Sequence, residues 1–230
     1  MHHDHRHARA SFTLTVILPL SLFLAPAARA QTSADLTLVS AYSGRGLGLG
    51  SDPALQLRVE RDTDGGWYGG AFASPVTLDA RRQGQLTAYA GRAMRITSTL
   101  SWDAGVTRNA YLRDSHRSYH ELYAGLALRR ASVRLFYSPS YYGEGRSLYL
   151  DLSGAYPLTD QLRRAAHGGL LRPVGAYEEG VARASADMRL ALVADVGDVT
   201  LQGGWQSRWR TYLAGFPRPH ALTASASYHF

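Results

Sequence analysis

The sequence contains no cysteine and no lysine; all 25 basic residues are arginine. Without cysteine there are no disulfides, no thiolate metal sites and no N-terminal thiol to acylate, so a lipoprotein anchor is excluded. Beyond residue 30 there is no uninterrupted run of 18 apolar residues, which excludes helical membrane spans. A membrane β-barrel is untouched by that absence, because its signal is a period of two and is weak in any one segment. Cofactor and metal motifs are missing as well. Residues 44–50 (GRGLGLG) have neither a Walker lysine nor the G-x-G-x-x-G spacing, and read as a flexible strand end and loop. No cofactor and no metal site is expected.

The N-terminus carries Arg6 and Arg9, then an uncharged apolar run from Phe12 to Ala27, then Ala28-Arg29-Ala30. A positive start, a short apolar middle and a small-residue exit are the three parts of a secretory signal peptide. Pro19 and the shortness of the run argue against a transmembrane helix. Residues 1–30 are therefore read as a cleaved signal, with Ala28 and Ala30 setting the cleavage site, and residues 31–230 as one exported domain. Removing the signal leaves 22 arginines against 17 carboxylates. The arginines are spread rather than clustered, and export to the bacterial envelope argues against nucleic acid as a partner.

Period two runs through the exported part. Leu55, Leu57 and Val59 alternate with Gln56, Arg58 and Glu60; Leu122, Ala124, Leu126 and Leu128 alternate with Glu121, Tyr123 and Gly125. Leu148, Leu150 and Leu152 alternate with Tyr149, Asp151 and Ser153, and Leu222, Ala224, Ala226, Tyr228 and Phe230 with Thr223, Ser225, Ser227 and His229. Successive strand side chains point to opposite faces, so each run has one apolar and one polar face. Twelve strands are predicted: 36–47, 54–61, 67–74, 85–92, 99–110, 119–128, 132–141, 147–156, 162–171, 181–194, 199–209 and 221–230. The connections between them alternate long and short, as in outer-membrane barrels with short periplasmic turns and longer outer loops.

A soluble sandwich or lipocalin-like barrel also alternates, but with its apolar face inward. Three features favour the membrane. The polar faces are rich in Gly, Ser, Thr and Tyr rather than dense in charge. Trp67, Tyr68, Tyr111, Tyr141, Tyr142, Tyr156, Trp209 and Tyr212 fall near strand ends, where interface girdles sit. The final alternating strand finishes on Phe230. The expected fold class is thus all-β, a transmembrane antiparallel barrel of about 12 strands in the bacterial outer membrane, in contact with lipid and lipopolysaccharide.

The last run, Leu222-x-Ala224-x-Ala226-x-Tyr228-x-Phe230, resembles the terminal signature read by the barrel-assembly machinery, which makes Leu222, Tyr228 and Phe230 the assembly signal. Residues 119–126 (YHELYAGL), 136–143 (FYSPSYYG) and 147–158 (SLYLDLSGAYPL) resemble the TorF-type porin family of proteobacteria. Ser40-Ala41-Tyr42 with Arg45-Gly46, then 53–56 (PALQ) and 67–70 (WYGG), fit the same pattern, which thins over 159–215. The resemblance implies an outer-membrane porin; it brings no catalytic residues and no substrate.

Fold does not fix function, so the site must carry it. Charged residues on the polar faces are the pore-lining candidates: Arg58, Glu60, Asp103, Glu121, Arg134, Asp151, Asp187 and Arg189. Twelve strands about 4.8 Å apart and tilted about 40° enclose a cylinder roughly 24 Å across, leaving a lumen of about 14 Å at most. That suits small polar solutes or ions. The alternatives are a sealed structural barrel, in which these charges pair across the lumen, and a lipid-modifying enzyme built on Ser115, His116, Ser118, His120 and Glu121. Clustering along the sequence is weak support for the last, since triad members come from distant segments. His167 is read as lumen-facing. Nothing in the pattern specifies an oligomeric state. N-terminal sequencing of the protein from outer membranes should return Gln31 as the first residue; Met1 would contradict the export reading.

Overall fold

A computed structural model describes residues 31–45, 47–78, 80–175, 184–209 and 220–230. The expected signal segment with Ala28 and Ala30, residues 181–183 of the expected tenth strand, and Tyr212 lie outside these. In chain order the strands are β1 (Gln31–Val39), β2 (Tyr42–Gly44), β3 (Leu47–Gly50), β4 (Ala54–Asp62), β5 (Trp67–Leu78), β6 (Arg81–Arg95) and β7 (Ser101–Tyr111). There follow β8 (Tyr119–Ala127), β9 (Ala131–Ser138), β10 (Ser147–Pro157), β11 (Leu162–Pro173), β12 (Ser185–Val196), β13 (Val199–Trp209) and β14 (His220–His229). Twelve of them, β1 and β4 to β14, close into one antiparallel barrel; β2 and β3 form a separate hairpin.

Neighbours in the barrel are neighbours in sequence, and β1 closes the ring by pairing with β4 on one side and β14 on the other. Closure gives every strand a partner on both sides, which a bilayer demands because it offers no water to an unpaired N–H or C=O. Connections 63–66, 96–100, 128–130, 158–161 and 197–198 lie at the end where β1 starts, here the turn end. The long connections 40–53, 112–118 and 139–146 join strands at the opposite, loop end, where β11 and β13 also finish.

The faces are inverted relative to a soluble protein. Leu122, Leu152 and Leu201 point outward and are 58%, 49% and 46% exposed, while Thr107, Glu121 and Asp151 point inward and are 4%, 2% and 4% exposed. A water-soluble barrel would bury the leucines and expose the carboxylate. Only a solvent that prefers leucine stabilises this arrangement, so the chain is a transmembrane barrel. On the outer wall between β10 and β14, small residues Gly154, Ala166 and Gly203 leave a shallow hollow of roughly 780 Å³ edged by Leu190, Leu192, Trp205 and Leu222.

Three expectations are corrected. The first strand is Gln31–Val39 rather than 36–47, because the chain leaves the wall at Ser40 and turns inward to form β2 and β3. Residues 75–78 and 81–84, expected as part of a long connection, are strand: β5 runs through Pro75 to Leu78 and β6 begins at Arg81. Proline's missing donor takes no bond from Gly84, whose carbonyl accepts from the Leu112 N–H instead. Finally, Trp67, Tyr156 and Trp209 are exposed as girdle residues should be, but Tyr68, Tyr111, Tyr141 and Tyr142 are buried inside the barrel.

The cost of a charge on the outer face should depend on depth. Leu150→Arg, mid-strand on β10, should destabilise folding into bilayers by about 2–4 kcal/mol, and Leu112→Arg at the loop-end rim by about 0–1 kcal/mol. Urea titration of folding into lipid vesicles measures both; equal effects would contradict the lipid-facing assignment.

Candidate functional site: the lumen and the hairpin that enters it

Inward positions toward the turn end carry tyrosines and charges that satisfy each other across the lumen. The hydroxyls of Tyr68 on β5 and Tyr123 on β8 meet at 2.6 Å, and Tyr68 donates to Asp103 at 3.2 Å. Asp103 also holds the Arg134 guanidinium at 2.5 Å, which in turn lies over the Tyr123 ring at 5.2 Å. Tyr89 donates to Glu60 at 2.6 Å. The rings fit because glycines stand opposite them: a Cβ on Gly91 would meet the Tyr68 hydroxyl at 2.5 Å, and one on Gly70 the Tyr89 hydroxyl at 2.5 Å. A buried ion pair such as Asp103–Arg134 adds little over an apolar pair, but removing one partner costs about 3–5 kcal/mol because the other charge stays buried.

A second cluster spans β10 to β12. His167 lies between two carboxylates, with Nε2 2.9 Å from Asp187 and Nδ1 3.6 Å from Asp151. Ser153 donates to Asp151 at 3.0 Å and lies 3.3 Å from His167 Nδ1, while Tyr149 donates to Asp187 at 3.1 Å.

The β2–β3 hairpin packs inside the loop-end half. Tyr42, Leu47 and Leu49 belong to one buried cluster with Phe72, Val76 and Leu78 of β5 and Tyr111, Tyr119, Tyr141 and Tyr142. The Tyr42 ring packs on Phe72 with centroids 6.1 Å apart, and its hydroxyl donates to Gln85 at 3.3 Å. On the other side Ser43 donates to Gln206 of β13 at 2.7 Å. The hairpin therefore touches walls on both sides of the lumen. Arg45 lies in its turn, since Gly44 pairs with Leu47. Arg45 has φ 49° there, a left-handed conformation that costs a non-glycine residue about 1–2 kcal/mol and that Asn, Asp or Gly would adopt more cheaply.

Arg45 uses that position to cross the lumen. Its guanidinium forms an ion pair with Glu121 of β8, sits over the Phe136 ring of β9 at 4.1 Å and lies 5.5 Å from the Tyr149 ring of β10. Glu121 is set to receive it: Oε2 accepts from Thr107 at 3.1 Å and from Asn109 at 3.3 Å, leaving Oε1 for the arginine. Residues 139–146 cover the same region, with Tyr111 donating to Tyr142 at 2.7 Å. Burial holds the phenols of Tyr141 and Tyr142 well above their ordinary range, so both stay neutral.

All eight pore-lining candidates have inward side chains: Glu60, Asp103, Glu121, Arg134, Asp151 and Arg189 are buried, and Arg58 and Asp187 are half-buried. The structure brings Asp103 to Arg134 and Asp151 to Asp187 through His167, and puts Arg58 over Phe72 at 5.9 Å. Residue-by-residue reading missed Arg45, Tyr42, Phe136 and Tyr149. The only hint of Arg45's role is a charged residue set among alternating glycines.

The serine–histidine cluster at 115–121 does not converge. Ser118 Oγ accepts from the Tyr111 backbone N–H at 3.0 Å, His120 faces outward with Arg108 at 2.8 Å, His116 pairs with Asp114 at 2.7 Å, and Glu121 points inward to Arg45. Hydroxyl and imidazole thus have other partners and sit on a rim rather than in a site.

Solved structures with the same architecture are outer-membrane proteins. One described as "KdgM porin" superposes with a TM-score of 0.52 at 13% identity, covering 86% of this chain and 99% of its own. The NanC porin gives 0.55 at 12% identity, covering 86% and 98%. The COG4313 outer membrane channel from Pseudomonas putida F1 gives 0.53 at 14% identity, covering 89% and 96%. At these identities the likeness is one of fold. No curated protein matches the sequence closely enough to count as a relative. The sequence itself matches over residues 25–190 the family described as "Bacterial protein of unknown function (Gcw_chp)", and the chain belongs to that family.

Proposed function

We propose that the protein is a porin of the outer membrane, of the TorF type, that passes small polar solutes or ions and rests in a closed state. One observation carries the reading: the turn-end half of the lumen is lined by charged and tyrosine side chains, and a short hairpin whose tip pairs with Glu121 packs into the loop-end half. A barrel meant only as structure needs no arginine placed at a backbone-unfavourable position to span it. The pore would be lined by Arg58, Glu60, Asp103, Glu121, Arg134, Asp151, Asp187 and Arg189. The sealed-barrel reading draws on the same lumen, because Glu121 and Asp151 are shielded from water on every side. Planar-bilayer recording in potassium chloride separates the two. The wild type should give small unitary currents that grow in Arg45→Ala; no current from either variant, with folded protein verified in the bilayer, would establish the sealed barrel.

Assembly into the membrane is assigned to Leu222, Tyr228 and Phe230, through the barrel-assembly machinery. Phe230 is 70% exposed on the outer face, stacks edge-on against Tyr228 at 4.8 Å, and donates its backbone N–H to Ala34 at 2.9 Å, at the seam where β14 meets β1. Phe230→Asp should leave export intact but accumulate the chain in the periplasm. Fractionation showing wild-type outer-membrane levels would contradict this role.

A further inference from the structure

We infer that Glu121, Phe136 and Tyr149 form a binding subsite for solutes bearing a guanidinium or amine, which Arg45 of the chain itself occupies while the lumen is closed. This rests on the reading of the barrel as a pore and names the class of solute that the pore would favour.

The subsite is built rather than incidental. Glu121 is buried and its orientation is fixed from behind: Thr107 and Asn109 both donate to Oε2, and Asn109 Oδ1 accepts from Thr87 at 2.8 Å. The other oxygen is thereby presented to the lumen. Beside it lie two aromatic rings from the next two strands, at 4.1 Å and 5.5 Å from the Arg45 guanidinium carbon. A carboxylate flanked by ring faces recognises an organic cation through a charge-assisted hydrogen bond and cation–π attraction together. A compact metal ion would use only the carboxylate, and an anion would meet repulsion.

The occupant is also of the right kind. Arg45 is delivered by a tether, not by the barrel wall, and its head group is the part that touches the cradle. Leu47 and Leu49 keep the hairpin seated in the buried cluster, so vacating the cradle needs only rotation of one flexible side chain. The guanidinium of a solute presents the same planar donors and the same ring-stacking face, and would trade places with it. A wall arginine beside the rings, Arg134, is committed to Asp103 at 2.5 Å and stands 6.0 Å from Phe136.

The test uses agmatine, which carries one guanidinium and one amine, and the full chain purified from outer membranes. By titration calorimetry Arg45→Ala should bind agmatine about tenfold more tightly than the wild type, because its cradle is vacant, and Arg45→Ala with Glu121→Gln should lose that gain. Arg45→Gln, which keeps most of the bulk at the hairpin tip, should behave as Arg45→Ala does, and the heat-modifiable shift of folded barrels on gels verifies each variant. In planar bilayers agmatine should interrupt the Arg45→Ala current with brief blocks, whereas glutamate and sorbitol should not. Equal agmatine binding with and without Glu121, or Arg45→Ala current that agmatine leaves unblocked, would overturn the subsite and leave the pore standing. Agmatine binding to an Arg45→Ala protein that carries no current would uphold the subsite and overturn the pore.

Discussion

Most of the leucines face outward, and the rest of the interior follows from that. A bilayer accepts the apolar face of each strand and supplies no hydrogen bonds, so the backbone must close on itself and the opposite face must be polar. In a twelve-stranded ring that polar face encloses a space too narrow to hold bulk water around every charge. Each inward charge therefore needs a partner. Asp103 finds Arg134 and Tyr68, Glu60 finds Tyr89, and Asp151 and Asp187 share His167. Tyrosine suits this lining because its ring fills volume while its hydroxyl ends in a hydrogen bond.

The chain fills the remaining space with its own first long connection. The β2–β3 hairpin brings an apolar pair, Leu47 and Leu49, into contact with the inner face of β5, whose Val76 and Leu78 also turn inward. Near the loop end the barrel thus acquires a small hydrophobic core inside a polar wall. Arg45 then carries the contact across to β8, β9 and β10. Closure at this level depends on one ion pair, a pair of ring contacts and a few side-chain hydrogen bonds. Such a set holds firmly as a unit, yet changes with one guanidinium.

How much of this was legible in the sequence depends on what period two can and cannot say. Strands such as 147–156 and 199–209 are found almost to the residue, as Ser147–Pro157 and Val199–Trp209, because apolar residues alternate with polar ones and turn-forming residues bound the run. The inward placement of Glu121, Asp151 and Arg189 follows from the same alternation. The hairpin escaped for a physical reason. Leu47 and Leu49 alternate with Gly48 and Gly50 just as a lipid-facing strand would, and alternation does not distinguish lipid from a packed lumen. Tyr141 and Tyr142 failed similarly: a tyrosine beside a strand end suits an interface girdle and a lumen plug equally well. The cradle was illegible because Glu121, Phe136 and Tyr149 come from three strands and are completed by a residue that local sequence makes look like loop.

Labelling a single thiol tests the central claim, a hairpin seated inside the lumen of a membrane-embedded barrel. The chain has no cysteine, so Leu47→Cys introduces the only one. Leu47 is 0% exposed and inside the barrel, while Ser51 beside the hairpin is exposed and Leu126 faces outward. In lipid vesicles Leu47→Cys should resist both a water-soluble and a lipid-soluble maleimide. Ser51→Cys should react with the first and Leu126→Cys with the second. A Leu47→Cys thiol that reacts with the water-soluble reagent as fast as Ser51→Cys, or with the lipid-soluble one as fast as Leu126→Cys, would contradict the account.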